Sequence, residues 1–125
     1  MSETPTRITR VGTVVLPVGD QDAALDFFVT TLGFETRLDA EFAPGQRWIE
    51  VAPPGAETSI ALVARDGSNG IEISFATDDA AIDHAVLRSA GVDADAELIQ
   101  MGEGVPPMFT FRDASANRFR VVQRG

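Results

Sequence analysis

The feature that most constrains this chain is an internal repeat. A strand, an acidic helix cap, an amphipathic helix and a glycine follow one another from Val14 to Phe34, and the same order returns from Ile73 to Val92. Asp20 and Asp79, the residues placed to cap the two helices, are 59 positions apart. A repeat of about half the chain predicts two copies of one supersecondary unit, because a solenoid needs three or more shorter repeats.

Each copy predicts one helix followed by a left-handed glycine. The first helix spans about 21–32, and its apolar residues recur at i, i+3, i+4 and i+7: Leu25, Phe28, Val29 and Leu32. The second helix spans about 80–90. Gly33 and Gly91 follow the two helices, where a positive φ is favoured. We interpret the pair Asp78–Asp79 as a helix cap rather than a catalytic dyad.

Strands are predicted on both sides of each helix. They cover 8–18, 35–41, 47–51 and 59–64 in the first copy, then a strand from 71, 93–100, 108–112 and 118–123 in the second. This order, βαβββ twice, predicts one α+β domain over 1–125, with module one at about 8–64, a linker at about 65–70 and module two at about 71–123. Neither module can bury its sheet alone, so we expect the sheets to join around a shared concave surface.

Composition excludes several classes of function. The formal net charge is −9, whereas a nucleic-acid partner would require a basic surface. Every basic residue is arginine, so lysine Schiff bases and phosphate-loop lysines are excluded. The chain has no cysteine, and its N-terminus lacks an apolar segment, so we expect a cytoplasmic protein without a secretory signal. No run approaches the roughly 18 apolar residues of a membrane span.

The duplicated pattern resembles the vicinal oxygen chelate superfamily, which includes glyoxalase I, bleomycin resistance proteins, fosfomycin-modifying enzymes and extradiol dioxygenases. The matching segments are Val14–Asp20, Ala24–Phe28, Leu32–Phe34, Arg47–Gly55 and Phe111–Asp113 with Asn117. The resemblance implies two tandem βαβββ modules that form a cup-shaped, eight-stranded mixed sheet with the helices on the outside. It also implies a homodimer with a cavity lined by each cup.

The chain departs from this family at the metal-ligand positions. Related enzymes hold a divalent metal with side chains from the first and last strand of each module, and these positions fall on Thr13, Ala61, Glu72 and Arg120. Only Glu72 can coordinate a metal, and Arg120 brings a permanent positive charge to the same place. A divalent cation needs several oxygen or nitrogen donors, so we expect neither a metal nor any other cofactor.

Candidate site residues follow from the resemblance and from side-chain chemistry. The predicted ligand-binding residues are Thr13, Arg47, Trp48, Glu50, Glu72, Met108 and Arg120. Trp48, the only tryptophan, has two interpretations: packing in a core or dimer interface, or stacking on a ligand. If the protein is an enzyme, Glu72 is the candidate general base and Arg120 the candidate anion holder.

Two further groups are less informative. His84, the only histidine, falls inside the second predicted helix, and we interpret it as a helix-surface residue. Met101, Met108 and Phe109 cluster near a Pro-Pro loop at 101–107, where they belong to the core or form an adaptable apolar surface.

Three functions remain open. The first is a metal-free protein that binds a small organic molecule in the cup, as drug-sequestering members of the family do. The second is a lyase or isomerase like the glyoxalases and dioxygenases, working without metal or with a shifted metal site. The third is a structural or protein-binding role. Fold alone cannot choose among them. We expect the first, in a homodimer that has no nucleic-acid partner and does not bind a membrane.

Overall fold

A computed structural model describes residues 5–65, 70–102 and 104–124. Module one consists of β1 (Thr13–Val18), α1 (Gln21–Asp26), a π-helical segment (Phe27–Thr31), β2 (Glu35–Ala43), β3 (Gln46–Ala52) and β4 (Ser59–Ala64). Module two consists of β5 (Glu72–Thr77), α2 (Ala80–Ser89), β6 (Asp93–Ala94), β7 (Met108–Arg112) and β8 (Arg118–Gln123). None of the described helices is long and apolar enough to cross a membrane.

The strands form two mixed sheets of four. Sheet 1 has the order β1-β4-β3-β2, and sheet 2 has the equivalent order β5-β8-β7-β6. Thr13 pairs with Ser59 across the parallel β1 and β4, and Glu72 pairs with Arg118 across the parallel β5 and β8. Both members of the second pair lie 59 positions after those of the first, so the duplication extends to strand register. The predicted α+β fold with two βαβββ modules is confirmed.

The helix signals are also confirmed. The side chains of Asp20 and Asp79 each accept the backbone N–H of the residue three positions later, at 3.0 Å. Such caps satisfy one of the free N–H groups in the first turn of a helix. Gly33 and Gly91 have φ of 79° and 82°, a conformation that costs glycine little.

The first helix differs from its predicted form because its last part is π-helical. In this segment the N–H of Leu32 bonds to the carbonyl of Phe27 at 3.1 Å. The wider turn allows two consecutive aromatic residues to reach sheet 2. Phe27 lies 6.0 Å from Phe111 and Phe28 lies 5.9 Å from Phe119, measured between ring centroids. The chain therefore changes from α-helix to π-helix where the two phenylalanines pack against sheet 2.

Two strand predictions were too long. The first strand begins at Thr13 rather than at residue 8, and β6 is only Asp93–Ala94 rather than 93–100. Directly after β6, the carboxylate of Asp95 accepts the N–H of Thr110 at 3.1 Å. A side-chain oxygen thus takes the acceptor role that a backbone carbonyl has in a regular ladder, and the continuous strand ends. Beyond it, an isolated bridge joins Ile99 to Met108. Of the predicted linker at 65–70, residues 66–69 lie outside the part of the chain that the structure describes.

Each sheet has one face in a common core. This inner face carries Leu16, Ile49, Val51, Ile60 and Leu62 in sheet 1, and Phe109, Phe111, Phe119 and Val121 in sheet 2. The first helix joins the two, because its Phe28 contacts sheet 2 while Gln21 bonds to backbone carbonyls of β3 and β4. Since side chains alternate along a strand, the opposite, outer face of each sheet points away from this core.

Candidate functional site

The outer face of sheet 1 carries a chain of four polar side chains. Trp48 donates its indole N–H to Glu50 Oε2 at 2.7 Å. The Ser59 hydroxyl donates to Glu50 Oε1, also at 2.7 Å. Thr13 Oγ1 lies 3.1 Å from Ser59 Oγ. Because the single proton of the Ser59 hydroxyl is used at Glu50, Thr13 is the donor of that last bond.

This network holds the Glu50 carboxylate ionised and in a fixed orientation. The hydrogen bond from Trp48, and next the one from Ser59, lower the pKa of Glu50 against the opposing effect of its partial burial. Both donors are neutral. Among the residues that the structure describes, Glu50 takes part in no ion pair.

The outer face of sheet 2 is built differently. Glu72 lies 3.4 Å from Arg118 and 3.7 Å from Arg120, measured between carboxylate oxygen and guanidinium nitrogen. The side chains of Glu72 and Arg120 are 40% and 48% exposed, so water screens their attraction. The predicted meeting of these two side chains is observed, as an open surface cluster. Met108, half-buried, shares this face.

Sheet register places Trp48 and Met108 at equivalent points of the two modules. Glu50 pairs with Ala61 in sheet 1, and Thr110 pairs with Arg120 in sheet 2. Trp48 and Met108 each precede the first member of these pairs by two residues, on the same face. The two large apolar side chains singled out from the sequence therefore occupy matching positions.

Arg47 is not brought together with the other predicted ligand-binding residues. It lies on the other face of β3, where it bonds to Asp39 at 2.8 Å and to Asp22 at 2.7 Å. These contacts raise the pKa of Arg47, the bond to Asp39 having the larger effect. Arg47 thereby ties β2 and β3 to α1. Its prediction as a ligand-binding residue relied on its closeness to Trp48 in the sequence, but adjacent residues of a strand face opposite sides of the sheet.

The remaining candidates have structural surroundings. His84 Nε2 is hydrogen-bonded to the carbonyl oxygen of Asp95 at 2.7 Å, and its ring meets the Phe109 ring at 5.1 Å. It is half-buried rather than free on the helix surface. Phe109 belongs to the inner core and Met101 is exposed, so the predicted Met–Phe cluster is divided between two environments.

The positions that correspond to metal ligands do not fit a divalent cation. Thr13 uses its hydroxyl in the Ser59–Glu50 network, and Ala61 has no donor atom. Glu72 is paired with two guanidinium groups, one of them from Arg120 itself. In 5–65, 70–102 and 104–124, no three His, Asp or Glu side chains gather as a metal site.

A cavity of about 640 Å³ lies on the inner side of the sheets, between the two modules. Its lining includes Leu32, Phe34, Ile60, Ile73, Phe75 and Val86, and none of the predicted ligand-binding residues. Its lining residues follow the same alternation as core residues, so nothing in the sequence pattern distinguishes this cavity from the core. Its one titratable lining group, Asp83, accepts a hydrogen bond from Thr77.

The chain is similar in sequence to a bacterial protein and, in both sequence and fold, to a protein of known crystal structure. The uncharacterized protein YetH of Bacillus subtilis (strain 168) is 32% identical over 117 residues, which cover 90% of this chain and 96% of YetH. A crystal structure of a glyoxalase/bleomycin resistance protein/dioxygenase superfamily member from Sphaerobacter thermophilus DSM 20745 is 33% identical. It has a TM-score of 0.84 and covers 95% of this chain and 100% of that one.

A third similar protein has a stated ligand class. TnmS3, an antibiotic binding protein from Streptomyces sp. CB03234, is 30% identical with a TM-score of 0.83, covering 97% of this chain and 100% of TnmS3. The sequence pattern of one superfamily matches residues 10–121. Together with the duplicated fold, this match shows that the chain belongs to the Glyoxalase/Bleomycin resistance protein/Dioxygenase superfamily.

Proposed function

We propose that this protein binds a small organic molecule on the outer faces of its sheets, without a metal, and that it acts as a homodimer. The observation that carries the proposal is the network on sheet 1. There, an indole and an ionised carboxylate are held in place by hydrogen bonds at 2.7 Å. Side chains fixed in this way bind a ligand with little loss of conformational entropy.

The dimer supplies the second wall of the site. Both outer faces point away from the common core, and no hydrogen bond or ion pair among the described residues joins one to the other. A cup lined by both kinds of face therefore needs sheet 1 of one copy beside sheet 2 of another. Ligand sites at such a junction bury more of a small molecule than one open sheet can.

The similarity to TnmS3 supports a binding function. TnmS3 is an antibiotic binding protein, and the two chains are similar over nearly their full lengths. We carry over the class of activity, binding of a small organic compound, and not its particular ligand. The absence of cysteine also fits a reducing cytoplasm, where we place the protein.

The outer faces are better candidates than the inner cavity. The cavity is lined mainly by side chains that continue the apolar core, and its Asp83 is already bonded to Thr77. By contrast, the outer face of sheet 1 combines apolar surface with a few fixed polar groups. That combination is typical of small-molecule sites.

Fluorescence titration tests the proposal, because Trp48 is the only tryptophan and the chain has no tyrosine. Bleomycin and a panel of aromatic antibiotics should include a compound that changes Trp48 emission with saturation. Val86→Glu, which adds a charge at the half-exposed mouth of the cavity, should leave that binding unchanged. Binding that depends on Val86 and leaves Trp48 emission constant would instead assign the ligand to the cavity.

A second candidate is a lyase or isomerase that needs no metal. It is favoured by the meeting of Glu72 and Arg120 on the outer face of sheet 2, which offers a base next to an anion holder. The pairing of Glu72 with both Arg118 and Arg120 weighs against it, because the carboxylate is already neutralised by neighbouring charges. Turnover of a glyoxalase-type substrate that is lost in both Glu72→Gln and Arg120→Met would support this candidate.

A further inference from the structure

We propose that Trp48 and Glu50 form a subsite for an organic cation, a substituted ammonium group attached to an apolar body. This inference rests on the proposed binding function and specifies the class of its ligand. It arises from a difference between the two outer faces. Glu72 on sheet 2 is paired with arginines, whereas Glu50 on sheet 1 is hydrogen-bonded to neutral groups.

Among the residues that the structure describes, none forms an ion pair with the Glu50 carboxylate. Glu35, Asp39, Asp95 and Glu72 are each paired with an arginine. Glu50, although half-buried, receives hydrogen bonds only from neutral donors. Two neutral donors hold a carboxylate in place but leave its net charge uncompensated. A positively charged ligand group is the missing partner.

The carboxylate still has room to accept. Each of its oxygens carries two lone pairs, and each receives one hydrogen bond in the network. One acceptor position per oxygen is therefore left for a ligand. The flanking hydroxyls of Ser59 and Thr13 already point their protons along the network, so they do not compete for it.

Trp48 adds a second contact for the same cation. Its N–H is tied to Glu50 two residues along the strand, so the indole lies along the strand beside the carboxylate. A cation over the face of an indole is attracted by the negative electrostatic potential of the ring face. Carboxylate and indole together define a position for a bulky, weakly hydrated cation.

A pair of isosteric probes tests the inference. Phenyltrimethylammonium carries the charge, and tert-butylbenzene has nearly the same shape without it. Titration followed by Trp48 emission should show the cation binding at least about tenfold more tightly, which corresponds to about 1.4 kcal/mol. Glu50→Gln should remove most of this preference, whereas Glu97→Gln, an equal loss of charge at an exposed position, should keep it.

The outcomes separate this inference from the proposed function. Equal affinity for the two probes, or a preference that survives in Glu50→Gln, overturns the cation subsite. If an arginine of a second copy neutralised Glu50, the two probes would likewise bind with equal affinity, and the cation subsite would be overturned in the same way. If tert-butylbenzene or a neutral antibiotic still binds, the binding function stands alone; if no compound binds, both fail. The comparison within the wild-type protein needs no variant to fold.

Discussion

Asn117, in the turn just before β8, donates its side-chain N–H to the backbone carbonyl of Pro17 in β1 at 2.7 Å. The two residues are 100 positions apart, and they join module two to module one. Asn117 is fully buried. Its other amide proton goes to Asp113 at 2.9 Å, and its oxygen accepts the N–H of Ile71 at 2.9 Å. One side chain thus satisfies backbone groups from both modules.

Asn117→Ala is expected to lower the free energy of unfolding by about 2–4 kcal/mol. It leaves the Pro17 carbonyl and the Ile71 N–H without their partner, and each buried unpaired group costs about 1–3 kcal/mol. Denaturant unfolding would measure the loss. Gln100→Ala, which truncates an exposed amide side chain, is the control and should change stability by less than about 0.5 kcal/mol. A similar small change for Asn117→Ala would contradict the bridging role.

Glu72 and Arg120 are expected to contribute little as a pair. Their charged atoms are 3.7 Å apart and both side chains are about half exposed, so the pair is worth about 0–1 kcal/mol. A structural strut between β5 and β8 would require a buried pair. Chemical unfolding of Glu72→Gln, Arg120→Met and the double variant should give additive losses within about 0.5 kcal/mol. A coupling of several kcal/mol would show that the pair is buried in the working assembly.

Glu50 is expected to make stability depend on pH. Its pKa in the folded state lies below the ordinary value, so its contribution is present above the unfolded pKa of about 4.3 and is lost as the pH falls through the folded value. The melting temperature of the wild-type protein should therefore exceed that of Glu50→Gln near neutral pH. This difference in melting temperature should become smaller below about pH 4. Thermal melting over that range measures it. A difference in melting temperature that is independent of pH would contradict the assignment.

The oligomeric state is expected to be a dimer. The outer faces of the two sheets point away from the shared core, and a site lined by both needs two copies. Light scattering at micromolar concentration should give about twice the chain mass of 13.3 kDa. A monomer at all accessible concentrations would remove the second wall of the proposed site.

The purified protein is expected to carry no stoichiometric zinc, nickel, iron or manganese. Thr13, Ala61, Glu72 and Arg120 at the family's ligand positions offer one carboxylate beside a permanent cation. Elemental analysis after dialysis provides the measurement. Close to one metal per chain, or glyoxalase activity restored by added metal, would refute this prediction.

Local signals in the sequence were sufficient for the helices and for the duplicated order. Asp20 and Asp79 cap their helices because a short carboxylate can bond to the N–H three residues later, a contact that involves no distant residue. Gly33 and Gly91 end the helices for an equally local reason. Strand alternation likewise places Trp48 and Glu50 on one face, and their side chains are hydrogen-bonded there.

Other features were decided by contacts between distant segments. The π-helical turn accompanies the packing of Phe27 and Phe28 on sheet 2, and β6 ends where Asp95 bonds to β7. The partner of Arg47 is likewise a tertiary matter, because Asp39 lies on the neighbouring strand β2 and the residue types alone did not indicate the pairing.

The sequence by itself determined the fold class and the helix ends, because these depend on side-chain type and on spacing along the chain. Only the tertiary structure decided that Glu50 is held by Trp48 and Ser59 while Glu72 is paired with arginines. Two glutamates of the same intrinsic chemistry thus differ in their electrostatic surroundings, because the fold places neutral donors beside one and cations beside the other.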